Sequence, residues 1–67
     1  MKKLKAADFV GHRCRLSVVG VARDWFGEVV RTDEGDIELR YDIPGMFPAQ
    51  VDTILENKEL DLVRCDL

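Results

Sequence analysis

The sequence predicts a mainly β fold with short helices, a small and strongly bent antiparallel sheet or barrel in the order α-β-β-β-α-β. Three features carry that prediction. Ile37, Leu39, Tyr41 and Ile43 alternate with Glu38, Arg40 and Asp42, the period of a half-buried strand. The stretch "TDEGD" just before them supplies Asp and a glycine, Gly35, able to take positive φ, which suits a tight hairpin. Gly27 lies inside the strand that leads into this turn, where a glycine marks a bulge, a sharp bend or a close backbone approach.

The elements are expected as follows. "KKLKAADF", residues 2–9, favours a short helix with Leu4, Ala7 and Phe9 or Val10 on its apolar side, and Gly11 stops it. In "HRCRLSVV", Cys14, Leu16 and Val18 alternate with Arg13, Arg15 and Ser17 as a first strand. The next turn falls either at Gly20 or at residues 22–24. The second strand runs from Trp25 to Thr32 and the third through Ile37–Ile43. Pro44-Gly45 then breaks the sheet. Pro48 suits the first position of a helix of about ten residues, along which Val51, Ile54 and Leu55 recur at helical spacing. "LDLVRCDL" closes the chain as a last strand, with Leu60, Leu62 and Arg64 opposite Asp61, Val63 and Cys65.

A length of 67 residues makes one domain, residues 1–67. Such a domain removes only about 60% of its unfolded surface from water, so an oligomer interface, a metal or a disulfide is the usual reinforcement. The 46% hydrophobic and 34% charged content is that of a globular chain rather than a disordered one. Residues 1–32 carry +4 and residues 33–67 carry −7, together the chain's −3. The asymmetry fits self-association, or a basic and an acidic face, and argues against a uniformly basic nucleic-acid binder. Charges distant in sequence also mix in space, which is the plainer reading. The start "MKKLKAADF" lacks the apolar core of a signal peptide, and no run is long enough to span a membrane. A cytoplasmic location with reduced thiols is the expectation. Cys14 and Cys65 then serve in packing or at the surface, with an intermolecular or a single internal bridge as the other reading.

Chemistry that would mark an enzyme does not appear in the pattern. His12 is the only histidine, and no cysteine or acid spacing makes a zinc site with it. Asp33, Glu34 and Asp36 crowd one turn, but the run is much shorter than a calcium loop, and a solvated turn is the better reading. Ser17 has no catalytic partner in sight, and no glycine loop for phosphate is present. No cofactor, no metal and no enzymatic activity are expected. Two places suggest contact surfaces instead. Trp25 and Phe26 are adjacent on a strand, so one of them faces away from the core. Met46 and Phe47 sit in a loop, where bulky apolar side chains need a partner or a helix to fold under; Phe47 against Val51 at the helix start is the intramolecular option.

The stretch "FVGHRCRLSVVGVARDWFGEVVRTDEGDIELRYD" resembles the Sm and Sm-like fold, small bent-sheet barrels that commonly form rings and bind RNA. Gly11, Gly20, Gly27, Asp33 and the Ile37/Leu39 pair fall at about the places of that pattern, and "LVRCDL" is similar to its second motif. Other SH3-like barrels share most of these features. The resemblance implies a barrel, structural roles for Gly11, Gly20 and Gly27, and a ring; the structural role of Gly35 comes from the turn itself. Only Asp33, Asp36 and Arg64 map onto the family's RNA site. The turn "DEGD" is a residue shorter than the family's and has no Asn, and Cys65 stands where the motif has Gly. The chain also ends where a fifth strand should run. A second stretch, "GEVVRTDEGDIELRYDIPGMFPAQVDTILE", is similar to the second half of acylphosphatase-like, ferredoxin-type α+β domains, without their first helix between strands or their phosphate-binding loop.

The sequence thus points to a non-enzymatic, self-associating binding module that acts as a protein-interaction or adaptor domain through Trp25 or Phe26, Met46 and Phe47. Strand addition at an open sheet edge is one mode of partner capture. The alternative is an RNA-binding ring whose phosphate contacts come from Lys2, Lys3, Lys5, Arg13 and Arg15, with Trp25 or Phe26 as stacking platforms.

Overall fold

The computed structural model describes residues 4–65. A 3₁₀ turn, Ala6–Phe9, leads into strands β1 (Arg13–Val18), β2 (Trp25–Arg31) and β3 (Ile37–Tyr41). A short strand β4 (Ala49–Gln50), helix α1 (Val51–Glu56) and strand β5 (Leu60–Arg64) follow. The five strands form one antiparallel sheet in the order β4-β3-β2-β1-β5. The expected order is therefore observed, with β4 added between the third strand and the helix.

The sheet is curled. Helix α1 has six residues, about 9 Å of axis. It nevertheless packs against β5 at one margin of the sheet and against β3 and β4 at the other. Flat, five strands at the usual spacing would hold those margins about 19 Å apart. The concave face is filled by Phe9, Cys14, Leu16, Val29, Leu39, Val51, Ile54 and Leu62, all buried. Val29 and Leu39 are fully buried cross-strand partners at the centre of the sheet. Truncating either to Ala removes contacts on all sides, and Leu39→Ala falls in a class that costs about 2–5 kcal/mol.

The chain enters β1 through a turn and a bulge that share one glycine. Val10 lies at φ −60°, ψ 130° and Gly11 at φ +84°. The His12 N–H donates to the Phe9 carbonyl at 3.0 Å. These are the torsions and the bond of a type II turn. Gly11 N–H then donates to Val29 O at 2.8 Å while Val29 N–H donates to His12 O at 3.1 Å. Two residues of one strand thus face one of the other, a bulge whose first residue needs positive φ. The glycines expected to be structural divide into two kinds. Gly11, Gly20 and Gly35 have positive φ, whereas Gly27 is present for space. A Cβ on Gly27 would stand 2.2 Å from the Arg40 carbonyl oxygen and 2.9 Å from Tyr41 Cα, so β2 and β3 approach as closely as they do only over a bare backbone.

The β2–β3 turn is the one the sequence predicts. Thr32 N–H donates to Asp36 O at 2.7 Å, Gly35 N–H to Thr32 O at 2.9 Å, and Asp36 N–H to the Thr32 hydroxyl at 3.1 Å. Asp33, Glu34 and Gly35 form the loop between that closing pair, a three-residue hairpin with Gly35 at its positive-φ position.

Several expectations are corrected. The N-terminal helix is, within the described residues, one 3₁₀ turn; its buried residues are Ala6 and Phe9, three apart, while Leu4 and Ala7 are exposed. Asp8 accepts the Lys5 N–H at 2.8 Å and Gly11 ends the turn before an α-helix can develop. Pro48 does not open a helix. Ala49 pairs with Leu39 and Gln50 with Glu38, and the helix begins only at Val51. It ends at Glu56, because Asn57 turns the chain: its side-chain oxygen accepts the Glu59 N–H at 2.9 Å and its carbonyl the Leu60 N–H at 3.1 Å. Leu60–Arg64 is the fifth strand, not a fourth. Ile43 leaves the apolar row of β3 and enters an exposed turn in which Met46 N–H reaches Ile43 O at 3.3 Å and Gly45 takes φ +84°.

Candidate docking surface

The register decides which aromatic faces out. Gly27 and Val29 are buried, so β2 presents Phe26 and Glu28 on its convex side. Phe26 is 46% exposed, whereas Trp25 packs against the margin of the core. The Arg23 guanidinium lies over the Trp25 ring at 5.6 Å from its centroid, a cation–π contact. Phe26 is thus the outward member of the pair, flanked across the sheet by Arg15 on β1, with Val63 of β5 beyond.

Three ion pairs join charged side chains within the chain here. Arg13 and Asp42, 29 residues apart, form a two-pronged pair: Nη1 donates to Oδ1 at 2.9 Å and Nη2 to Oδ2. Asp42 is placed by its own N–H, which donates to Phe26 O at 2.9 Å and continues the β2–β3 ladder. The hydrogen bond from Arg13 holds the Asp42 carboxyl below the usual carboxylate range, and the same bond raises Arg13. Arg15 Nε stands 3.9 Å from Asp24, and Arg40 Nε donates to Glu38 at 3.0 Å. Burial pushes the Tyr41 phenol up.

Among the residues considered for RNA, Arg13 and Arg15 are the two engaged with Asp42 and Asp24. Lys5 is exposed beside the 3₁₀ turn, and Lys2 and Lys3 lie outside the described residues. Asp33 and Asp36 are exposed in the β2–β3 turn. Arg64 Nη1 donates to the Asp8 carbonyl at 3.4 Å. Cys14 pairs with both Arg64 and Gly27, so Arg64 stands level with Gly27, five residues before Thr32 and roughly 16 Å of strand short of the turn. The fold thus sets Arg64 apart from the turn with which the resemblance grouped it.

The exposed apolar side chains gather at the other end of the sheet. β1 ends there, β2 begins there and β3 ends there. The Val18–Val21 turn, closed by Val21 N–H to Val18 O at 3.1 Å, presents Val19, 71% exposed, and Val21. The β3–β4 connection presents Ile43, Met46 and Phe47, the last 90% exposed. At that exposure Phe47 makes no staple with buried Val51. Phe26 opens onto the same end, next to Asp42. Sequence reasoning singled out Met46, Phe47 and the Trp25/Phe26 pair but not Val19, Val21 or Ile43. The run "VVGV" was the available signal, since Gly20 lets the valines on either side leave the strand.

Among the described residues no group of three or more His, Cys, Asp or Glu side chains is arranged to hold a metal ion. No described helix is long and apolar enough to cross a membrane. The described residues form a small compact domain, with a Cα radius of gyration of 11.4 Å. No family model, no curated protein and no solved structure matches the chain.

Proposed function

We propose that this chain is a non-enzymatic interaction module of the Sm-like or SH3-like barrel type, that it associates with itself, and that it docks protein through the apolar end of its sheet. The supporting observation is Phe47, a full aromatic ring 90% exposed between Met46 and Pro48. A fully buried aromatic covers about 150–250 Å², and leaving one in water has no folding rationale. Phe47 directly follows the Ile43–Met46 turn and precedes Pro48, so the backbone on either side of the ring is restricted. Curl, strand order and the helix between the last two strands support the barrel type. The RNA reading has less behind it, because Arg13 and Arg15 already face carboxylates.

A random peptide library displayed against the immobilised protein tests the docking surface. Enriched peptides are expected to shift the amide resonances of residues 19–21 and 43–47 and to lose binding to Phe47→Ser. Enriched peptides that map to Glu28, Arg40 and Val63 on the convex face, or to the β2–β3 turn, would overturn this choice of surface.

A further inference from the structure

Of the seven large hydrophobic side chains exposed among the described residues, Leu4 alone lies away from the apolar end. Rings and open filaments join two different surfaces of each subunit, so they need two complementary patches; a two-fold dimer needs one patch that meets itself. Among the described residues there is one such apolar patch. We infer that the occupant of the apolar end is a second copy of the same chain, in a two-fold, end-to-end dimer with Phe47 at its centre. The inference rests on the docking surface proposed above and names its partner.

The charges bordering this end suit self-apposition. Asp42 and Asp24 face Arg13 and Arg15 of their own chain. Lys58 and Glu59 are adjacent in sequence, and Glu59 O accepts the Val19 N–H at 2.8 Å, which fixes that segment at the border. Arg23 lies over Trp25. Two copies brought together here therefore meet mixed signs, whereas two copies joined at the β2–β3 turn would oppose Asp33, Glu34 and Asp36 to themselves. Size points the same way. A specific interface occupies about a tenth of a small protein's surface. A tenth of this chain's 5058 Å² is about 500 Å². Phe47 alone offers on the order of 150–200 Å², and the other exposed apolar side chains at this end, Val19, Val21, Phe26, Ile43 and Met46, add to it. Such a contact lies at the small end of stable interfaces, so the dimer is expected to be weak and concentration-dependent.

Sedimentation equilibrium of the full chain from micromolar to millimolar concentration, with amide spectra along the same series, tests this. The expected result is a monomer–dimer equilibrium, with concentration-dependent shifts confined to residues 19–21, 26 and 43–47. Phe47→Ser is expected to weaken it by about 30-fold, the loss typical of a central aromatic anchor. Because Phe47 is exposed, this variant should keep the wild-type circular dichroism. Met46→Gln gives a second, milder variant with the same expected direction. A monomer at millimolar concentration, a mass of three or more subunits, or a dimer indifferent to both variants would overturn the inference. A monomer that still selects library peptides at residues 43–47 shows the second copy to be wrong and the docking surface right; one that selects none there sinks both.

Discussion

Gly27 and Arg40 are in backbone contact that no other residue at position 27 would permit. The site for a Cβ lies 2.2 Å from the Arg40 carbonyl oxygen and 2.8 Å from its carbon. Those atoms belong to a paired strand and cannot rotate aside as a flexible side chain would. Gly27→Ala must therefore force β2 and β3 apart where Gly27 pairs with Tyr41. The expected loss is about 3 kcal/mol or more, the upper end of overpacking, in a domain with little margin. Urea unfolding measures it. A variant within about 0.5 kcal/mol of the parent, the range of an inert surface change, would contradict the close approach.

Gly11 makes the opposite case. Nothing lies within 4 Å of a Cβ built there, so a side chain meets no obstacle and only the positive φ resists it. Gly11→Ala is expected to cost about 1–2 kcal/mol, the torsional penalty of the left-handed region. Gly11→Asn should cost less, because Asn tolerates that region better. Gly27→Asn should show no such relief. The same denaturation series distinguishes the two causes, and an Asn variant at Gly11 no better than Ala would contradict the turn assigned there.

The contrast shows what was legible in the chain. The β2–β3 hairpin was, because the alternation of Ile37, Leu39 and Tyr41 and the residues of its turn are local signals. That Gly27 was special could be seen, but not whether for a bend or for space, since its obstacle comes from Arg40 across the sheet. Strand β4 was invisible. Ala49 and Gln50 have no strand signal of their own and are extended because Leu39 and Glu38 pair with them. The apolar end was half legible: Met46 and Phe47 announced themselves in a loop, whereas Val19 and Ile43 looked like continuations of strands. Choosing Phe26 over Trp25 required the register, and a shift of one residue would have reversed it.

Register also decides the fate of the two cysteines. Cys14 is fully buried on the concave face, with its Sγ 3.5 Å from the His12 carbonyl oxygen. Cys65 is exposed, and its N–H donates to Arg13 O at 2.9 Å, which places it opposite the convex Arg13 and not opposite Cys14. The internal bridge entertained from the sequence would have to cross the sheet, so oxidation is expected to give only intermolecular products through Cys65. With a thiol reagent in native buffer, one group should react at once, and Cys65→Ser should abolish that phase. Cys14 should react only as the domain opens, at a rate that rises with urea. Two fast thiols, or an internal disulfide in the mass spectrum of oxidised monomer, would contradict the register of β5.

The Arg13–Asp42 pair predicts a pH response confined to acid. The guanidinium stays charged throughout, so Asp42 alone titrates. Its carboxyl is held below its ordinary value of about 4, chiefly by the hydrogen bond from Arg13. A carboxyl depressed in the folded state contributes stability that is complete above its unfolded value and is lost as pH falls through the folded one. The pair is half exposed on both sides, so the effect on stability is small and weakens further with salt. The titration itself is the sharper measurement. Carboxyl carbon shifts should place the Asp42 midpoint below that of an unperturbed aspartate. Arg13→Gln should return it upward. An Asp42 midpoint that is ordinary in the parent, and indifferent to Arg13→Gln, would mean that the two chain segments are not pinned together beside Phe26.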